Sequence, residues 1–168
     1  CLEQPDLKAV FHVRMTAPRK WQILSNQPEV ERSEEGDLAT VTFAPTPPLS
    51  TYLTSFAAGP YRYQERTWTA PDGSHSAQLR AFARASMFEH LDEEILELTA
   101  QGMDFFHQNF GYPYPWGKYD SIFVPEYNLG AMENPGLVTF TENYIFRSRA
   151  TRAQHAGRAN TILHEMSH

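Results

Sequence analysis

Cysteine is almost absent from this sequence of 168 residues, and Cys1 is its single example. No disulfide bond can therefore form within the chain. A chain without internal disulfides is compatible with a reducing compartment, and on this basis we expect a cytoplasmic location. Long apolar runs are also missing, since no stretch approaches the roughly 20 apolar residues that a membrane-spanning helix needs. We therefore expect no membrane segment in this chain.

Basic side chains are the minority among the charged residues. The 14 lysines and arginines are outnumbered by 20 aspartates and glutamates, which gives a formal net charge of −6. This balance argues against a nucleic-acid partner, because nucleic acids bind basic surfaces. Internal repeats and low-complexity segments are missing as well. Hydrophobic residues, in contrast, make up 41% of the sequence, which is enough for a packed core.

The first half of the chain is dominated by patterns typical of β-strands. Residues 8–15 alternate between apolar and polar side chains, which predicts a half-buried strand that Pro18 ends. Similar patterns predict strands over residues 21–25, 40–43, 50–58, 62–69 and 78–83. The polar segment 29–37, which contains Gly36, predicts a turn region.

Helical patterns enter after about residue 85. Ser86 and Glu89 fit a capping box, and the apolar spacing that follows predicts a helix over residues 87–110, which Gly111 ends. Two further strands are predicted over residues 119–124 and 137–141. A second helix is predicted from about Thr151, with a buried face made of Ala156, Ala159, Leu163 and Met166. The fold class expected from this order of elements is α+β.

The last five residues, His164-Glu165-Met166-Ser167-His168, form an H-E-x-x-H motif on the second predicted helix. One helical turn separates positions i and i+4, so both imidazoles face the same side. Such a pair can hold one Zn²⁺, with the intervening glutamate beside the water on the metal. Histidine and glutamate are also common on helix surfaces, so the motif alone leaves an ordinary surface helix open. The other histidines have no partner at ligand spacing.

A second candidate segment, Gly130-Ala131-Met132-Glu133-Asn134, lies about thirty residues before the motif. Taken by itself, it is an ordinary loop with one acidic residue. Together the two segments resemble the aminopeptidase N family, the gluzincin zinc aminopeptidases, which carry both motifs in this order and at this spacing. Further stretches are similar to that family in the same order, so that the resemblance covers essentially the whole chain: residues 1–6, 50–53, 56–59 and 112–120.

The resemblance implies an α+β fold in two parts. Residues 1–62 would be the C-terminal part of a β-rich N-terminal domain, and residues 63–168 the first part of a thermolysin-like (zincin) catalytic domain. It also implies one Zn²⁺ per catalytic site, with the third protein ligand, a glutamate, beyond residue 168. A helix that stops at a metal ligand is no natural terminus, nor is a start without methionine, so we expect that both ends are cuts. The remainder of the same polypeptide is then an expected partner, and the chain alone is expected to be inactive.

The resemblance further assigns roles to matching residues. His164 and His168 would be zinc ligands, Glu165 the general base, and Glu133 the anchor for the free α-amine of a peptide substrate. The other motif positions would shape the site. Gly130 and Ala131 would offer backbone groups to the peptide, Leu129 would wall the pocket for the first side chain, and Met132 and Asn134 would shape the loop.

The implied function is a zinc-dependent aminopeptidase that releases N-terminal residues from peptides by attack of activated water. A carboxylate such as Glu133 favours a chain end, because an internal peptide bond would leave it buried without a cation. Two alternatives stay open: an endopeptidase or other hydrolase on the same scaffold, and a non-catalytic binding module. Glu133 argues against the endopeptidase or other hydrolase, and the intact H-E-x-x-H motif argues against the binding module. The related epoxide-hydrolase branch has glycine where this chain has Ala131.

Overall fold

The computed structural model describes residues 4–168, in which twelve strands form four sheets and two α-helices lie after residue 93. The strands of each sheet all come from the same side of Pro60, so the described residues separate into a β-rich part and a mixed part. The α+β class is therefore confirmed. The proposed domain limits, residues 1–62 and 63–168, stay a prediction.

The β-rich part contains three small antiparallel sheets. The largest pairs β2 (Arg14–Pro18) and β4 (Glu29–Glu35) with the central β5 (Leu38–Phe43). The others pair β1 (Lys8–Ala9) with β6 (Leu49–Ser50), and β3 (Gln22–Ser25) with β7 (Phe56–Gly59). A small core forms around the inward side chains of β5, with Val41 and Phe43 at its centre.

Three predictions for this part need correction. The strand predicted over residues 8–15 is two strands, and β2 runs on to Pro18. The turn predicted over residues 29–37 is wrong, because β4 fills most of it and only the hairpin around Gly36 is a turn. All residues of β4 are exposed, so this edge strand lacks the apolar alternation by which strands are recognised. The strand predicted over residues 50–58 is interrupted by a 3₁₀ turn at Thr51–Leu53.

The mixed part is built on a five-stranded sheet. The order is β11 (Ala131–Met132), β12 (Leu137–Thr141), β10 (Lys118–Val124), β9 (Ser76–Arg84) and β8 (Tyr61–Thr69). The three inner strands β12, β10 and β9 are parallel, while β8 and β11 are antiparallel edges. Strands β10 and β12 are almost entirely buried, as expected for parallel strands covered on both faces, while β9 is buried mainly toward its C-terminal end.

The first helix, α1 (Glu94–Phe110), begins seven residues later than predicted. The capping box of Ser86 and Glu89 does not form, and residues 88–90 make a 3₁₀ turn instead. The cause lies at Leu91, whose backbone is extended and whose carbonyl accepts a hydrogen bond from Gln64 Nε2 at 2.8 Å, so it cannot join a helix. The predicted end is confirmed, because Gly111 adopts the left-handed conformation with φ of 62°.

The second helix, α2 (Arg152–Ser167), begins where predicted. Thr151 and Gln154 form a reciprocal capping box at its first turn. The predicted buried face is wrong in part, since Ala156 is exposed and the two fully buried residues are Arg158 and Ile162. A buried arginine is not expected from apolar spacing, and here it is paired with Asp92 and Glu94.

The main core lies between the sheet and the two helices. Side chains from β9, β10 and β12 meet α1 there, and Ile162 of α2 completes the cluster. The helices approach closely at Gly102, where an added Cβ would lie 2.7 Å from Leu163 Cδ2 and 2.9 Å from Met166 Sδ. Both α-helices of the described residues are too short or too polar to cross a membrane.

Candidate active site

The end of α2 carries the two histidines of the H-E-x-x-H motif. The helix is regular from the capping box at Thr151 to Ser167, so His164 and His168 lie one turn apart on the same side. Their Nε2 atoms are 3.3 Å apart, and the rings meet edge to face with centroids 4.9 Å apart. Both imidazoles are exposed, and their Nε2 atoms lie next to each other.

This pair fits a zinc ion. Zn–N bonds of about 2.0–2.1 Å at a tetrahedral angle place two ligand nitrogens about 3.4 Å apart, close to the observed separation. Imidazole nitrogen is also a donor that zinc prefers. The local geometry of the helix end therefore needs no rearrangement to present two ligands to one metal ion.

Two carboxylates lie beside His168. Glu133, Glu165 and His168 each offer one ligand atom, and these atoms lie within 4.8 Å of one another. Burial raises the pKa of Glu165; the charge of His164 opposes this rise, and the charge of Glu133 adds to it. The structure thus brings the predicted base and the predicted amine anchor, which come from separate segments, next to His168. His164 lies outside this group of three and is joined to it through its contact with His168.

The sheet edge positions Glu133. The segment 130–134 is not simply a loop, because β11 pairs antiparallel with β12 through Ala131 opposite Phe140 and Met132 opposite Thr139. Thr141 N donates to the Gly130 carbonyl at 3.0 Å and prolongs this pairing. Glu133 follows the last paired residue, so its position is set by the register of an edge strand.

The other predicted substrate-binding residues have different surroundings. Asn134 is buried, and its amide nitrogen donates to the carbonyls of Tyr52 and Leu53 at 3.4 and 3.3 Å. Leu129 is 58% exposed and makes no part of the core. Gly130 lies close to Tyr144, whose Oη would be 3.4 Å from an added Cβ. Their predicted roles in substrate binding stay predictions.

Tyr144 connects this segment to α2. Its hydroxyl lies 2.9 Å from Thr161 Oγ1, and Thr161 in turn donates to the Gly157 carbonyl at 3.1 Å. The same tyrosine therefore contacts the helix that carries the histidines and the segment that carries Glu133. This link helps to fix the distance between the two halves of the site.

Sequence reasoning missed one tyrosine beside the carboxylates. Burial raises the pKa of Tyr127, and the negative charges of Glu165 and Glu133 raise it further. Tyr127 follows Glu126, which has a left-handed backbone with φ of 53°, a conformation uncommon outside glycine. The available signal was the position of Tyr127 just before the segment 130–134, but no spacing rule connects it to a helix that begins at Arg152.

Both parts of the chain match models of known protein families. Residues 94–168 match the model of the peptidase family M1 domain, and residues 1–53 match that of the peptidase M1 N-terminal domain. Aminopeptidase N of Streptomyces lividans is 46% identical over 167 residues, which cover 99% of this chain and 19% of the relative. Aminopeptidase 2 of Candida albicans is 34% identical over 99% of this chain, and aminopeptidase N of Homo sapiens 32% over 100%; each match covers 18% of the relative. The chain thus spans about a fifth of the length of these curated relatives.

Proposed function

Because the chain belongs to the peptidase M1 family, we propose that it supplies part of the active site of a zinc-dependent aminopeptidase. One observation supports this most directly: His168 has one nitrogen 3.3 Å from His164 Nε2, and it offers a ligand atom within 4.8 Å of the carboxylates of Glu165 and Glu133. The proposed substrates are peptides with a free N-terminus. The proposed cofactor is a single Zn²⁺ held by His164, His168 and a glutamate from the remainder of the polypeptide.

Each residue of the cluster has a separate part in the proposed reaction. A zinc ion held by His164 and His168 would supply a Lewis acid and would lower the pKa of the attacking water to about 7. Glu165 accepts a proton from the attacking water and passes it to the leaving amine. Its raised pKa suits this exchange, because a base that must also act as an acid works best when its pKa is near the operating pH.

In this proposal, Glu133 explains why the enzyme acts at the N-terminal end of a peptide rather than inside it. Its carboxylate pairs with the ammonium group of the substrate, and a bond in the interior of a peptide offers no such cation. At about 4 Å and an effective dielectric of 20, this attraction is on the order of 4 kcal/mol before desolvation of both groups is subtracted. Backbone groups of Gly130 and Ala131 bind the peptide, and Leu129 contacts the first side chain.

The chain by itself is proposed to be inactive. Catalytic zinc sites use three protein ligands and a water, and the described residues supply two imidazoles in the required arrangement. The residue that would stabilise the developing oxyanion is likewise proposed to lie elsewhere in the polypeptide. The cytoplasmic location that we expect from the single cysteine stays a prediction.

The test compares free and N-acetylated peptides in the full-length protein, using wild type and Glu133→Gln. Losing one partner of a buried charge pair costs about 2–5 kcal/mol, so Glu133→Gln should lower kcat/KM for free peptides by roughly thirty-fold to a few thousand-fold. Acetylation should cost wild type heavily and the variant little. Glu126→Gln, which changes an exposed carboxylate of the preceding segment, is the matched control and should behave as wild type.

Two results would contradict the proposal. If wild type cleaves acetylated peptides as fast as free ones, the enzyme is an endopeptidase and Glu133 does not anchor an amine. If the zinc-loaded full-length protein binds peptides but does not cleave them, the scaffold is a binding module.

A further inference from the structure

The segment after Glu133 is tied to the β-rich part by a buried lysine. Lys118, the first residue of β10, is buried, and its ammonium group makes three hydrogen bonds. It donates to the Ser25 carbonyl at 2.9 Å, to the Gly136 carbonyl at 2.6 Å and to Asp120 Oδ2 at 2.8 Å. An ammonium group has three donors, so all of them are used.

The charge of this lysine is balanced inside the protein. Asp120 is fully buried and also accepts two hydrogen bonds from the guanidinium of Arg80, at 2.7 and 2.6 Å. Burial lowers the pKa of Lys118, and the neighbouring carboxylate opposes this. Such a buried pair is a costly way to hold a strand, since apolar residues of similar volume often give equal stability. The pair differs from an ordinary buried ion pair because Lys118 also donates to the carbonyls of Ser25 and Gly136, which belong to two segments that are distant in sequence.

Asn26 makes the second connection between the same segments. Its side-chain amide nitrogen donates to the Pro135 carbonyl at 2.8 Å and to the Leu53 carbonyl at 3.0 Å, and its oxygen accepts from Ser55 N at 2.8 Å. Asn26 is fully buried. Its backbone carbonyl lies so close to Gly136 that an added Cβ there would be only 2.1 Å away. Gly136 also has φ of 73°, so both its backbone and its surroundings exclude a side chain.

These contacts fix a turn that begins next to Glu133. Leu137 N donates to the Asn134 carbonyl at 3.1 Å and closes the turn, while Asp120 N donates to the Gly136 carbonyl at 3.2 Å. The carbonyls of Pro135 and Gly136 are therefore held from the β-rich side by Asn26 and from β10 by Lys118. On its other side, Glu133 follows the two-residue edge strand β11.

We propose that Lys118 and Asn26 are positioning residues for the Glu133 carboxylate: they fix the turn 134–136 to residues 25–26, so that the amine anchor keeps its distance from the histidine pair. This inference rests on the proposed function of Glu133. It gives the β-rich part a role in recognising the substrate end, although its described residues lie outside the cluster of carboxylates and histidines. A loosened turn would displace the carboxylate and weaken its pairing with an ammonium group more than it would affect Glu165.

The test measures the preference for free over N-acetylated peptides in full-length zinc-loaded protein. Lys118→Met keeps most of the side-chain volume and removes the charge, and Asn26→Ser removes the amide donor. Each should reduce the preference by about tenfold to a hundredfold, because small misplacements of a positioning group have effects of this size. The loss should lie mainly in KM for the free peptide. Lys20→Met, an exposed lysine of the β-rich part, is the matched control and should leave the preference unchanged.

The outcomes separate positioning from mere support of the fold. A purely structural role would reduce the amount of active enzyme and lower kcat equally for both substrates, with KM and the preference unchanged, and that result overturns the proposal. If wild type itself shows no preference, the proposed function fails instead. Should neither variant fold, hydrogen exchange in wild type decides. The amides of Asn134 and Leu137 should then exchange as slowly as those of β10, and fast exchange there overturns the proposal.

Discussion

Glu165 differs from an ordinary carboxylate on a helix surface. It is half-buried and lies close to Glu133 and His168, and burial with the charge of Glu133 raises its pKa. A raised pKa has no use for a surface carboxylate that only increases solubility. A proton carrier gains a pKa closer to the pH at which it works.

The proposed role of Glu165 predicts the effect of Glu165→Gln in the full-length protein. The substitution keeps the size of the side chain and both histidines, so zinc content and KM should change little. Turnover should fall by about 10²–10⁴-fold, the usual contribution of general acid–base assistance. The measurement is steady-state kinetics with metal analysis of the same samples. Glu89→Gln, at an exposed carboxylate, serves as control, and turnover within a few-fold of wild type for Glu165→Gln would exclude it as the base.

Single residues of the site differ in how far sequence predicts them. His164 and His168 are predictable because positions i and i+4 of a helix are neighbours whatever the rest of the fold does. The proximity of Glu133 depends on how β11 pairs with β12, and the chain between them gives no rule for that register. The family resemblance supplied Glu133. Tyr127 was missed because neither local spacing nor the motif includes it.

At the scale of elements, α2 owes its position to a buried arginine. Arg158 Nη1 donates to Asp92 Oδ2 at 2.8 Å and to the Tyr144 carbonyl at 3.0 Å, and Nη2 donates to Asp92 Oδ1 at 3.0 Å and to Glu94. The guanidinium also lies 4.5 Å from the ring centroid of Phe146. These contacts tie the histidine-bearing helix to the start of α1. Apolar periodicity could not predict them, because it assigns a charged residue to the outer face.

This arrangement predicts that Arg158→Met loosens α2. Removing one member of a buried ion pair can cost about 3–5 kcal/mol. Since Asp92 and Glu94 remain about 40% exposed, water can solvate them in the variant, and we expect a loss near 2 kcal/mol in the local stability of α2. Native-state hydrogen exchange of the α2 amides measures this directly. Arg66→Met breaks an exposed ion pair with Glu97 and should change the local stability of α2 much less. Equal effects of the two substitutions would contradict the role of Arg158 in holding α2.

Local sequence patterns also predict only some of the boundaries of the helices and strands. The end of α1 at Gly111 and the start of α2 at Thr151 follow from residues that act on their own backbone neighbours. The start of α1 does not, because Gln64 of β8 captures the Leu91 carbonyl. The exposed strand β4 was missed for a related reason: only its pairing with β5 makes it a strand.

On the scale of the whole molecule, the sheet order could not be obtained from periodicity. The individual strands β8, β9, β10 and β12 are predictable from their composition, but the parallel pairing of β10 with β9 brings together residues separated by the whole of α1, and its parallel pairing with β12 spans the segment that contains β11. The likeness to a known family anticipated the α+β class through shared motifs. The buried contacts of Lys118 and Asn26 were not anticipated, since each joins segments far apart in the chain.

Contacts between protein groups hold the histidine-bearing helix α2 in place. The capping box at Thr151, the buried Ile162, the contacts of Arg158 and the packing of Leu163 on Gly102 are all made between protein groups. Small zinc domains differ, because their folding depends on the ion.

We therefore expect that a chelator abolishes turnover of the full-length protein, while the α2 amides up to Ile162 stay protected from exchange. One equivalent of Zn²⁺ should restore turnover. His164→Ala and His168→Ala should prevent this recovery, whereas His90→Ala, outside the cluster, should not. Loss of protection throughout α2 on chelation would show instead that the ion holds the helix in place.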